Sequence, residues 1–234
     1  MAMNQPKAQC FFCTPYNHRL HSKIESEILR NEFNKKSTWG FRVLTRRQDY
    51  LQAVYIEKKI FTEKTTDPFG NIREFKRVDY SQIDFQLSIT QPQIIIFQPP
   101  KNYKKLINQL AQCADYTIAI ENRNIKLFDW VKMLKDRGIE GVVTKANIDQ
   151  INYDKFTTGK LTLAGNNDLS EKIIKLLSGT SYIIKNLRIT FSDKSDHPDV
   201  DLYSNGKIAF SRPVDTDYFK IFYDTFCTLT NNVA

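Results

Sequence analysis

The segment CFFCTPYNHRLH sets Cys10, Cys13, His18 and His21 in one short stretch, two of the four cysteines and two of the three histidines in 234 residues. Thiolate and imidazole are the ligands that tetrahedral zinc favours, and Cys-x2-Cys has the spacing of half a structural zinc site. The second half departs from the pattern, because His-x2-His is shorter than the usual His-x3-5-His. On a helix both rings would have to reach one ion across i, i+3. His21 also shares a helical face with Ile24 and Ile28, which makes it a residue covering the core. The reading is that Cys10, Phe11, Phe12 and Cys13 form an apolar plug and that the chain binds no metal and no cofactor. A reactive thiol at Cys13 is a further option, since a helix N-terminus lowers a thiol pKa, although no partner base is identifiable.

Asp67 and Glu74-Phe75-Lys76 imitate the carboxylates and lysine with which a nuclease holds a divalent metal beside a phosphate. Glu74 and Lys76 would share a strand face, as that chemistry requires. Asp67, however, lies in DPFG, where an acid is favoured for turn reasons. The chain has no phosphate-binding GxxxxGK[ST] loop, no GxGxxG, no GxSxG and no HExxH. His197, in SDKSDHPD, has no evident partner either, and no catalytic residue is assigned.

Positive charge interleaved with aromatic rings is the better lead. The net charge is +8, an excess that favours polyanionic partners. In NIREFKRVDY the alternating Arg73, Phe75 and Arg77 fall on one strand face, as two phosphate contacts around a stacking ring. The competing interpretation puts Phe75 in the core with the arginines flanking it. In QPPKNYKK, Lys101, Lys104 and Lys105 are expected in the first turn of a helix, where the dipole disfavours cations. Arg46, Arg47, Lys35 and Lys36 add charge to the same half, whereas Asp193, Asp196, Asp199 and Asp201 make the C-terminal hairpin region acidic.

The elements that must position these groups follow from periodicity. Thr14 and Pro15 read as the N-cap and first residue of an amphipathic helix ending near Lys35-Lys36. FRVLTRR, YLQAVYIEKKIF and IREFKRVDY have strand chemistry and suggest an antiparallel meander. In IDFQLSIT, Ile83, Phe85, Leu87 and Ile89 alternate with polar residues, and Ile94–Phe97 is apolar throughout, as a covered strand is. From 94 to 144 the order is β-α-β-α-β, which favours a parallel pairing. Asp168 and Glu171 fit a capping box, and Asn205-Gly206 a type I′ hairpin. A last helix carries Phe219, Phe222, Tyr223 and Phe226.

The fold class is thus α+β: an N-terminal helix, an antiparallel β-meander, a β-α-β-α-β segment, and a C-terminal β-hairpin plus helix in a mixed sheet. Residues 1–98 and 99–234 form two parts packed as one unit. No run is long enough to span a membrane, MAMNQPKAQC lacks the apolar core of a secretory signal, and four scattered cysteines suit a reducing compartment, which points to the cytoplasm. The expected function is a non-catalytic nucleic-acid-binding or nucleoprotein-complex subunit that contacts phosphates through Arg46, Arg47, Arg73, Phe75, Arg77, Lys101, Lys104 and Lys105. Its partners are nucleic acid and other protein subunits, with no membrane. Bacterial mobile-element or antiviral defence systems would suit it, a context that no residue specifies. The alternative is an assembly subunit using the aromatic face of the last helix, and the third reading is the nuclease.

Overall fold

The computed structural model describes residues 7–152, 155–191 and 197–231. In chain order the elements are β1 (Lys7–Thr14), α1 (His18–Arg30), β2 (Trp39–Arg46), β3 (Tyr50–Thr66), β4 (Ile72–Ser88), β5 (Ile94–Phe97), α2 (Lys104–Cys113) and β6 (Ala119–Glu121). They continue as α3 (Leu127–Asp136), β7 (Val142–Asn152), β8 (Thr158–Ala164), α4 (Ser170–Leu176), β9 (Ser181–Thr190), β10 (Val200–Tyr203), β11 (Lys207–Phe210) and α5 (Thr216–Asn231). The architecture is α+β, as expected, but the chain opens with a strand, β1, ahead of the expected N-terminal helix. Two compact units emerge: Cys13–Ile120, and Glu121–Ala234 together with the chain up to Phe12.

In the first unit, β2, β3, β4 and β5 form an antiparallel meander. Helix α1 begins at His18 rather than Pro15, because the Asn17 side chain caps it by accepting the Leu20 N–H at 3.0 Å. It ends at Arg30, well before Lys35. The backbone there turns to the edge of β2, where Phe41 N–H donates to Asn31 and Phe33 N–H to Phe41, each at 2.8 Å. Gly40 permits this approach, since a Cβ would lie 2.8 Å from the Asn31 carbonyl oxygen.

IREFKRVDY and IDFQLSIT are one strand, not two. No glycine or proline separates them, and β4 pairs with β3 without interruption from Ile72 to Ser88, so each strand is seventeen residues long. Residues facing each other across the ladder share a side of it. Leu51, Ala53 and Tyr55 oppose Leu87, Phe85 and Ile83 and are buried, with Phe41 packed on Tyr55 and Phe85 at ring separations of 5.7 and 5.9 Å. Ile94–Phe97 is buried throughout, as its composition suggests. The order β-α-β-α-β is present, but β5 pairs antiparallel with β4, and β7 pairs antiparallel with β8 and β9. These ladders do not supply the parallel neighbour that the order favoured.

In the second unit, β1, β11, β10, β9, β7 and β8 lie side by side. Helices α3 and α5 pack together, with Trp130 against Phe226 at 5.1 Å and its indole N–H donated to the Thr225 hydroxyl at 2.9 Å. The hairpin at Asn205-Gly206 is present with a different turn. Tyr203 accepts from Gly206 N–H, and of the loop residues only Gly206 has a positive φ, +81°, so this is a three-residue loop rather than type I′. A Cβ at Gly206 would also meet the Phe226 ring at 2.4 Å.

Replacing Phe85 with Ala should lower the unfolding free energy by roughly 3–5 kcal/mol, the usual cost of emptying an enclosed aromatic site. Urea denaturation reads this directly, and a loss below about 1 kcal/mol would mean that the meander is not the core of its unit.

Candidate nucleic-acid interface

The ladder of β3 and β4 outruns the core that covers its first half. From Lys58 to the turn and back to Tyr80 nearly every residue is exposed, so the two strands form an arm roughly 30 Å long at about 3.4 Å per residue. The register sets Lys59, Phe61, Glu63 and Thr65 opposite Asp79, Arg77, Phe75 and Arg73. Arg73, Phe75 and Arg77 therefore do share one face, the outward continuation of the face that is buried at Ile83, Phe85 and Leu87. Phe75 has the spacing of a core residue but no core around it, and it stays 53% exposed.

The charges on the arm do not cancel evenly. Arg77 donates to Glu63 at 3.1 Å and to Asp79 at 2.8 Å, and its guanidinium lies 5.5 Å from the Phe61 ring centre. Glu74 pairs with Lys64 at 2.7 Å. Asp67 serves the turn, accepting from the N–H groups of Phe69 and Asn71 and from the Asn71 side chain at 2.9–3.0 Å. Those bonds hold its carboxyl below the usual range. Every carboxylate of the arm is thus engaged, while Lys58, Arg73 and Lys76 have no ion-pair partner among the described residues.

The remaining sequence candidates lie elsewhere, at the end of β2 and around the start of α2. Arg46 opposes Leu51 and Arg73 opposes Thr65, a separation of roughly 45 Å along β3. Arg46 is bound by Glu25, whereas Arg47 follows it into the turn, its N–H donating to Tyr50. Lys105 is bound by Glu57, about midway, beside a cavity of about 290 Å³ walled by Trp39, Tyr55, Asn108 and Gln109. Lys101 precedes α2 instead of lying in it. Only Lys104 and Lys105 occupy its first turn, where Asn102 accepts the Lys104 N–H at 3.2 Å. The eight residues are spread over three places. Sequence reasoning missed Lys58 and the exposed aromatics Phe61 and Phe69, and treated Lys76 only as a nuclease residue.

The thiol and imidazole groups have structural surroundings. Cys13 is buried in β1, four residues ahead of the α1 cap, its N–H donating to Gln93 Oε1 at 3.0 Å. Burial pushes its thiol up to about 12, so the helix N-terminus does not activate it. His21 is buried with Ile24 and Ile28, as its spacing implies, and its Nδ1 lies 2.9 Å from the Tyr16 hydroxyl. Among the described residues no group of three His, Cys, Asp or Glu side chains is placed to hold a metal.

Two further expectations change. Phe222 and Phe226 are fully buried in the second unit, so half of the aromatic face proposed for assembly is core. Asp201 is clamped by Arg188 through two hydrogen bonds of 2.9 and 2.7 Å, and Asp193 and Asp196 lie outside the described residues. A second concavity of about 910 Å³ in that unit is lined by Lys126, Phe128, Asp129, Tyr182 and Lys185, none of them a sequence candidate. No helix among the described residues is long and apolar enough to cross a membrane. No family model matches the chain, and no curated protein matches it.

Burial lowers the His21 pKa from its usual 6.5, a shift that Glu25 opposes and His18 reinforces. The unfolded chain then takes up a proton more readily, so stability present above pH 6.5 should be lost as pH falls through the folded pKa. Urea midpoints measured from pH 7.5 to 5 should fall more for the parent than for His21→Gln. Equal slopes would place the titrating group elsewhere. The native thiols should also resist a disulfide exchange reagent at pH 8 and react on unfolding, and rapid native labelling of Cys13 would restore the reactive-thiol reading.

Proposed function

We propose that this chain is a non-catalytic nucleic-acid-binding protein, or the nucleic-acid-binding subunit of a nucleoprotein complex, working in the cytoplasm. The arm of β3 and β4 makes its principal phosphate contacts. The observation that carries this reading is the uneven charge on the arm: its carboxylates are engaged, while Lys58, Arg73 and Lys76 remain open to an external anion. Phosphate oxygens on such cations release counterions, which makes binding tight at low salt and insensitive to sequence. The half-exposed rings of Phe61 and Phe75 lie on the same face as Arg73 and suit contact with sugars or bases. Arg77 contributes by exchange, since its exposed ion pairs with Glu63 and Asp79 are weak in water. Arg47, Lys101 and Lys104 are too scattered to join one contact and act as peripheral charge.

Filter binding of labelled single-stranded and duplex nucleic acid across a salt series tests this. The double variant Arg73→Gln with Lys76→Gln should bind about tenfold or more weakly at low salt, for every sequence, with the log–log salt slope reduced by about 2. A folded double variant with the parent's affinity and slope, or a parent that retains neither nucleic acid at low salt, would refute the reading.

A further inference from the structure

We propose that the arm enters a groove of duplex DNA and drives Phe69 between adjacent base pairs as a wedge. This rests on the nucleic-acid reading above and names its substrate class. Phe69 stands at the apex of the arm, in the turn joining β3 to β4, and is 89% exposed beside the exposed Pro68. A ring held out at the far end of a projecting ribbon stabilises nothing in the fold. The turn beneath it is nevertheless well determined. Asp67 accepts the Phe69 and Asn71 N–H groups through its side chain and the Gly70 N–H through its carbonyl, while its own N–H donates to Asn71 at 2.9 Å. The ring is thus presented on a fixed base. An apolar residue so placed is the type that proteins insert between base steps, partly unstacking them and bending the duplex.

The rest of the arm suits the same partner. A two-stranded ribbon can lie in either DNA groove, and wedge residues enter the base stack from the minor groove, which is therefore the groove the arm occupies. The open cations Arg73 and Lys76 lie behind the apex, on opposite faces of the ribbon, where each can reach the phosphates of a different strand. A single strand would call for a broad sheet face with rings in a row. Here Phe61 and Phe75 share a narrow face and Phe69 stands apart at the tip. The wide, shallow minor groove of double-stranded RNA offers the ribbon no comparable seat.

The experiment uses the full chain and short DNA duplexes with 2-aminopurine at successive steps and a donor–acceptor pair at the ends. At low salt, saturating parent protein should raise 2-aminopurine fluorescence and shorten the end-to-end distance. Phe69→Ala should abolish both signals while filter binding stays within roughly tenfold of the parent, because the phosphate contacts remain. Phe69→Trp should retain both signals. Duplex binding by the parent without unstacking, undiminished signals from Phe69→Ala, or binding confined to single strands would each overturn the wedge while leaving the broader reading in place. No retention of any nucleic acid by filter binding would overturn both.

Discussion

Cross-strand pairing between β3 and β4 continues for seventeen residues on each strand, but the core covers only its first part. That mismatch governs the first unit. Near the base, Leu51, Ala53 and Tyr55 meet Leu87, Phe85 and Ile83 inside a packed cluster of rings and aliphatic chains. Further out the same backbone hydrogen bonds persist with no side-chain burial to reinforce them. Beyond Glu57 the pairing is supported by cross-strand neighbours such as Ile60 and Val78, and by the ion pairs Glu63–Arg77 and Lys64–Glu74. A two-stranded ribbon of this kind is marginal alone, so its anchorage in the meander gives it direction.

The same contrast separates groups that stabilise the fold from groups open to a partner. The four cysteines are free and buried, and the imidazole of His21 is turned to the Tyr16 hydroxyl. Within CFFCTPYNHRLH, Cys10, Phe11, Phe12, Cys13 and His21 are buried, whereas His18 is exposed. On the arm, by contrast, Phe69, Arg73, Phe75 and Lys76 are exposed, and Arg73 and Lys76 have no ion-pair partner among the described residues.

The sequence made several elements legible because their signals were local: the alternation of Ile83, Phe85 and Leu87, the helical stripe of His21, Ile24 and Ile28, and the Asn205-Gly206 hairpin. Their limits came from non-local terms. Thr14 resembles a helix cap, yet it closes β1 and Asn17 takes the role. Arg73, Phe75 and Arg77 were placed correctly on one face. Whether that face was buried depended on how far the core reaches along the ladder, which periodicity does not encode. The scatter of Arg46, Lys105 and Arg73 along β3 has the same origin, since their separation in space follows the ladder register. Phe69 carried one local sign, an aromatic residue inside a DPFGN turn, where small and polar residues are the rule.

The arm is the proposed nucleic-acid contact, and removing it tests that proposal most directly. Lys58 and Tyr80 face each other in the register, so residues 59–79 can be replaced by Asn-Gly, a two-residue turn that closes the shortened hairpin. Affinity for duplex DNA at low salt is the quantity to measure, alongside circular dichroism and urea unfolding to establish that the meander persists. The account expects a folded protein whose affinity has dropped by about a hundredfold or more. A folded, armless chain that binds DNA as tightly as the parent would contradict it.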